Sequence, residues 1–252
     1  MWKKNQPKII AHRGNCEGLP ENSEAAFKQS VKYGIDGIET DVQLTKDNIP
    51  VIFHDRISFK LTKSRKWLSS YTLDELMEFN IRNEKILTLD KFLRSFSKET
   101  NLYIEIKSGR PEIVSGRSEL LTRKVIKQVL TIDPKYQKNI SILSFDPDVL
   151  KLAFSISNKF KYVLNLNDHN KKTEWFINSN ELLNRSYNHN HLTGISIKEN
   201  KLTRELIEFA HANKKTIFTY SCNTEQQLKR LLPLGLNAIM TGRVEWLTKL
   251  LK

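Results

Sequence analysis

The feature that most restricts this chain is a regular alternation of short apolar runs with longer amphipathic segments. The apolar runs fall at 8–11, 38–43, 51–54, 102–107, 140–145, 162–166, 194–197, 216–220 and 238–241. Between them lie helix-length segments at 24–33, 89–97, 120–130, 146–156, 173–183, 203–213, 224–232 and 244–250. About eight strands alternating with helices predict a parallel sheet, because each parallel pairing needs a crossover and a helix supplies it. Eight such units in 252 residues fit one closed (β/α)8 TIM-type barrel spanning residues 1–252. An open doubly wound sheet is the alternative, and the lack of a glycine-rich dinucleotide fingerprint weighs against it. Residues 56–85 break the rhythm with Lys60, Lys63, Arg65, Lys66 and Trp67, followed by a short helical signal at 72–76. They read as a small insertion after the second or third strand, sitting over the strand ends.

The stretch 37–55 carries the chemistry. Ile38, Thr40 and Val42 alternate with Glu39, Asp41 and Gln43, so Glu39 and Asp41 leave the same face of a strand. Two carboxylates on one face repel unless a positive charge sits between them, and a hard divalent cation takes oxygen ligands. The next run, Val51-Ile52-Phe53, ends on His54-Asp55. The first run ends on His12-Arg13-Gly14, and Glu105 and Lys107 share a face of the 102–107 run. In a barrel, chemistry collects at the C-terminal ends of the strands, so these groups have a common address there.

Charge and cysteine usage set outer limits. Lys and Arg number 41 against 28 Asp and Glu, for a formal net charge of +13. That field attracts polyanions, phosphate substrates and anionic membrane surfaces, so peripheral membrane contact is compatible with it. The basic residues are scattered, and neither a dense basic tract nor zinc-finger spacing is present, which excludes a nucleic-acid module. Cys16 and Cys222 are the only cysteines. They cannot build a disulfide framework, and they are expected as free thiols, with a single bridge across the barrel mouth as the alternative. The N-terminus lacks an apolar signal-peptide region and no stretch reaches membrane-spanning length, so the expected location is the cytoplasm.

A set of motifs in order resembles the glycerophosphodiester phosphodiesterases. They are His12-Arg13-Gly14, Pro20-Glu21-Asn22-Ser23 with Ala26-Phe27, and 34–42 with its Glu39-Thr40-Asp41. Thr45-Lys46-Asp47, Val51-Ile52-Phe53-His54-Asp55, Glu105-Ile106-Lys107, Ser144-Phe145-Asp146 and 235–241 follow. The resemblance covers nearly the whole chain and implies a TIM-type barrel with a small insertion after the His-Asp motif. It implies hydrolysis of a small-molecule glycerophosphodiester to sn-glycerol 3-phosphate and an alcohol. It also implies a divalent cation, Mg²⁺ or Ca²⁺, held by Glu39, Asp41 and Glu105. His12 and His54 take the place of the family's acid/base pair, with the two roles unassigned and the attacking oxygen either water or a substrate hydroxyl. Arg13 and Lys107 would grip the phosphate. Tyr220 would wall the glycerol side, and Glu21 and Asn22 would brace the first loop.

Three departures from the family pattern bear on substrate choice. Tyr220-Ser221-Cys222-Asn223 replaces a Trp-Thr-Val-Asn run, Thr241-Gly242 replaces a late Thr-Asp, and Asn48-Ile49 stands where a turn glycine is common. Two other functions stay open at this point. One is a phospholipase D-like activity on lysophospholipids; the other is a non-catalytic protein that binds phosphate or a membrane surface. His169, His189, His191 and His211 lie in polar loops or on a helix and are read without a role, and Asp36 and Asp47 as groups that form turns or support the site residues from behind.

Overall fold

In the computed structural model, which describes residues 6–14, 17–166 and 190–252, eight parallel strands close into a barrel. They are β1 (Lys8–His12), β2 (Gly37–Leu44), β5 (Asn101–Ile106), β6 (Ile140–Ser144), β7 (Lys161–Leu166), β8 (Gly194–Lys198), β9 (Thr216–Tyr220) and β10 (Ala238–Thr241). Each pairs with the next, and β1 closes the ring by pairing with β10 on one side and β2 on the other. The helix expected at 173–183, and Cys16, His169 and His189, lie outside the described residues.

The third of the nine apolar runs, 51–54, is not a barrel strand. It forms β3 (Pro50–Ile52), which runs antiparallel to the C-terminal end of β2 and then pairs with β4 (Leu87–Thr88). Only Thr45 to Ile49 separate β2 from β3, too few residues for a parallel crossover but enough for a hairpin. Asn48 makes the turn at φ 62°, a left-handed conformation that asparagine tolerates better than most residues. β3 uses the edge of β2 beyond the point where β1 stops, pairing Val42 with Ile52 while β1 reaches only Glu39.

Period-two alternation divides the barrel into two apolar layers. Outward side chains such as Ile38, Val42, Ile104, Ile142 and Leu164 pack under the surrounding helices in one continuous core. Phe27 of the helix Glu24–Lys32 meets Phe92 and Phe96 of Leu89–Phe96 edge-on, at 4.9 and 5.5 Å between ring centroids. Ser23 caps the first of these helices by accepting from the Ala26 amide, and Thr88 caps the second by accepting from Lys91. Inward side chains Ile10, Tyr103, Leu143, Val163, Phe218, Ala238 and Met240 fill the lower barrel. A side chain at Gly37 would meet the Tyr103 ring at 2.5 Å, so the glycine makes room for that ring to cross the barrel. Filling the floor with apolar side chains leaves the next inward layer, one step up each strand, as the base of a cavity.

Residues 56–85, between β3 and β4, have an apolar cluster of their own. Leu61, Leu68, Leu76 and Ile86 pack on Val51 and Phe53. The short helix Leu73–Met77 starts on a capping box made by Thr72 and Glu75.

Candidate active site

Register assembles the acidic cluster. In the parallel ladder Asp41 of β2 lies directly beside Glu105 of β5, and Glu39 lies directly beside His12 of β1. Neighbouring strands are about 4.8 Å apart, so inward side chains at paired positions meet. Glu39, Asp41 and Glu105 each place a carboxylate oxygen within 4.8 Å of the other two. They are buried, with 2%, 1% and 7% of their surface exposed.

Each carboxylate is oriented by a further bond. The backbone N–H of Arg13 donates to Glu39 Oε2 at 3.0 Å, Asn22 Nδ2 to Asp41 Oδ2 at 2.9 Å, and Asn165 Nδ2 to Glu105 Oε2 at 3.1 Å. Lys107 stands just past the end of β5, and its Nζ lies 2.8 Å from Asp41 Oδ1 and 2.6 Å from Glu105 Oε1. Arg13 Nε approaches Asp41 Oδ2 at 3.3 Å. Three buried carboxylates therefore face two cations, which leaves one negative charge uncompensated.

The titration behaviour follows from that imbalance. Burial would raise the Asp41 carboxyl, but Lys107 and Arg13 outweigh it and hold it below its ordinary value. Glu39 goes the other way: burial, then the charges of Asp41 and Glu105, push it well above. Burial would lower Lys107, but the charges of Asp41 and Glu105 prevail and raise it. A carboxylate forced toward its protonated form between two others marks a place where a cation is wanted. Three hard oxygen donors at this spacing could hold a divalent metal ion, and the Lys107 ammonium already sits where a cation bridges two of them.

Two imidazoles flank the cluster. His12 ends β1; its Nε2 lies 3.8 Å from Glu39 Oε2 and its Nδ1 is 3.0 Å from Ser221 Oγ. Burial, then the Arg13 charge, lowers His12 to about 3, so its ring is neutral at pH 7. His54 reaches the same cavity from the antiparallel hairpin, not from a barrel strand. Gln43 holds it there, since its Nε2 donates to the carbonyls of Phe53, His54 and Asp55 at 2.8, 3.1 and 3.1 Å. Its Nδ1 lies 2.7 Å from Asp55 Oδ1, a contact that fixes the orientation of the ring.

A ladder of alternating charge joins the two histidine loops. Asp55 pairs with Lys60 at 2.9 Å, Lys60 with Glu21 at 2.7 Å, and Glu21 with Arg13 at 3.0 Å. Arg13 then returns to Asp41. Asn22 sits at φ 57°; besides donating to Asp41 through Nδ2, it accepts at Oδ1 from the Thr40 hydroxyl at 2.8 Å. Asn22→Ala would leave both partners buried and short of a bond, and is expected to destabilise the fold by about 1–3 kcal/mol. A shift of the urea midpoint at constant slope checks this.

The expected site residues thus converge on one cavity of about 130 Å³, which is lined by His12, Arg13, Glu39, His54, Glu105, Lys107 and Tyr220. The Tyr220 ring stacks along His12 with 6.4 Å between centroids. Asp41, Glu21 and Asn22 stand behind these groups. Among the described residues, Ser221, Gln43, Asp55, Lys60, Asn165 and Ser196 were not singled out for a site from the sequence. Ser221 and Asp55 directly follow named site residues, and that adjacency was the available signal. A wider vestibule of about 780 Å³ opens above, rimmed by Ile57, Phe59, Lys60 and Lys198.

A sequence profile of the Glycerophosphoryl diester phosphodiesterase family matches residues 12–246. A glycerophosphodiester phosphodiesterase of Caldanaerobacter subterraneus is 29% identical over 257 residues, covering 97% of each chain. One from Bacillus altitudinis is 27% identical over 248 residues, covering 93% of this chain and 94% of the relative. Among solved structures, an Oleispira antarctica phosphodiesterase in complex with the product sn-glycerol-3-phosphate matches with a TM-score of 0.81 at 22% identity over 96% of each chain. The glycerophosphodiester phosphodiesterase of Thermotoga maritima matches with a TM-score of 0.76 at 24% identity, over 98% of this chain and 99% of that one. At these identities the structural likeness speaks to the fold.

Proposed function

The chain belongs to the glycerophosphoryl diester phosphodiesterase family, and from that premise we propose that it hydrolyses glycerophosphodiesters to sn-glycerol 3-phosphate and an alcohol. Glu39, Asp41 and Glu105 hold a divalent cation, Mg²⁺ or Ca²⁺, and His12 and His54 are the acid/base pair. The observation that carries this reading is the gathering of three buried carboxylates and two imidazoles around one small cavity.

The charges support it. A divalent ion would turn the single uncompensated negative charge into a single positive one, which a phosphodiester monoanion then neutralises. Bound there, the ion would supply Lewis-acid polarisation of the phosphoryl oxygens. The protein's own groups do the rest. Arg13 and Lys107 attract the anion into the mouth. One imidazole accepts the proton of the attacking oxygen, whether from water or the neighbouring glycerol hydroxyl. The other gives a proton to the alcohol oxygen as its bond to phosphorus breaks.

A lysolipid substrate is the second reading, favoured by the exposed Ile57 and Phe59 on the vestibule rim. The narrowness of the inner cavity supports an unacylated glycerol instead. Among the described residues no helix is long and apolar enough to cross a membrane.

Release of glycerol 3-phosphate from glycerophosphocholine tests the proposal. EDTA is expected to abolish it, and Mg²⁺ or Ca²⁺ to restore it; hydrolysis that persists in EDTA would remove the cation from the account. Hydrolysis of lysophosphatidylcholine but not glycerophosphocholine would select the second reading.

A further inference from the structure

The floor of the inner cavity carries two polar groups that the proposed chemistry leaves unused. Asn165 of β7 and Ser196 of β8 are partners in the parallel ladder, so they sit side by side. Both line the cavity, and they are 3% and 0% exposed. The Nδ2 of Asn165 is committed to Glu105, because a carboxylate can only accept. That leaves Oδ1 facing away as an acceptor, and it has no hydrogen-bond partner. The Ser196 hydroxyl likewise has none. Most buried side-chain polar atoms are paired, so two orphans side by side in one cavity call for an explanation. An amide oxygen that accepts beside a hydroxyl that donates is complementary to one alcohol group. The apolar neighbours Leu143 and Met240 offer that alcohol nothing else to bond.

We infer that Asn165 and Ser196 form a hydroxyl-reading subsite that selects glycerol as the inner half of the diester. The substrate alcohol donates to Asn165 Oδ1 and accepts from Ser196 Oγ. A diester lacking that hydroxyl leaves both protein groups buried and unpaired, so it is rejected. Sites built to bond a substrate hydroxyl discriminate far more strongly than apolar pockets that tolerate one. The subsite rests on the phosphodiesterase reading above, and its test has an arm independent of turnover.

The probes are glycerophosphocholine and its two deoxy analogues, in which 1,2-propanediol or 1,3-propanediol replaces glycerol. One analogue is expected to show kcat/KM at least about 100-fold below glycerophosphocholine in the unmodified enzyme. In Ser196→Ala that ratio should fall at least about tenfold, through loss on the glycerol substrate. The melting temperature should be unchanged or raised, because the lost hydroxyl has no protein partner. Asn165→Leu would also release Glu105, so Ser196→Ala is the cleaner variant. An unchanged ratio, or a melting temperature lowered by several degrees, would overturn the subsite. In the second arm, calorimetry compares glycerol 3-phosphate with the matching propanediol phosphates, in the unmodified protein and in Ser196→Ala. The binding preference for glycerol 3-phosphate should shrink at least about tenfold, and equal preference in both proteins would overturn the subsite. If no diester is hydrolysed with any ion, the hydrolase reading falls, while this arm still decides the subsite.

Discussion

His12→Ala and His54→Ala are each expected to cut kcat for glycerophosphocholine by about 10²–10⁴-fold, the usual worth of a positioned acid or base, while leaving the fold intact. Both side chains stand at the edge of the cavity with part of their surface exposed, so truncation opens no closed core void. Neither is a main structural tie. The β1 ladder holds the His12 backbone, and Gln43 holds the His54 backbone through its carbonyl. Loss of turnover should therefore come without a matching loss in melting temperature. On the proposed mechanism one imidazole accepts a proton and the other donates one, so the double variant should fall little below the worse single variant, as groups acting in one step are not additive. Turnover within about tenfold of the unmodified enzyme in both single variants would end the acid/base assignment.

Most of what positions these histidines was legible from residue order alone. Alternation of Glu39, Asp41 and Gln43 gave one inward face, and the ladder then set Asp41 against Glu105 and His12 against Glu39. The run at 51–54 could be read as a strand but not assigned to the barrel by its apolar character, since it is buried on both sides in either arrangement. The decisive quantity was the length of the preceding connection, and a five-residue link permits only a hairpin. That correction changes how His54 is held: not by a barrel strand but by a hairpin tied down through the Gln43 amide.

What stayed hidden depends on pairing across long separations. Asn165 comes 60 positions after Glu105, and Ser196 comes 31 after Asn165. Neither sits in a local motif, and only the strand order brings them to the acidic cluster. The departures from the family pattern resolve locally. Asn48 takes the turn that a glycine would take. The Gly242 backbone N–H donates to Asn223 Oδ1 at 3.0 Å, and the Thr241 hydroxyl to the same atom at 3.1 Å, so Asn223 ties the loops after β9 and β10 together. Tyr220 keeps an aromatic wall beside His12.

Lys107→Met should cost about 3–5 kcal/mol of stability, because it removes the shared cation from Asp41 and Glu105 and leaves buried charge uncompensated. Against a typical total of about 5–15 kcal/mol, the variant should still fold, with a much lower denaturation midpoint. The pH dependence separates this from simple loss of packing. Asp41 is held below its ordinary value in the folded chain. Its stabilising contribution is therefore complete above the ordinary carboxylate range near about 4 and drains as pH falls through the lower folded value. Lys107 lies above its ordinary value. Its contribution is complete below about 10.4 and drains as pH rises through the higher folded value. Glu39 works in the opposite sense: its folded value is raised, so protonating it on acidification relieves repulsion and stabilises the fold. The gap between the unmodified protein and Lys107→Met should accordingly be widest from about pH 5 to 10 and close on either side. A divalent ion should narrow the gap at pH 7.5, because the folded variant, freed of the Lys107 ammonium on Asp41 and Glu105, should bind it more tightly than the unmodified protein does, and it should do less at pH 5, where protons compete for the same oxygens. A gap that is constant from pH 3 to 11, untouched by Mg²⁺ or Ca²⁺, would mean that Lys107 matters only for its bulk and that the acidic cluster does not gather cations.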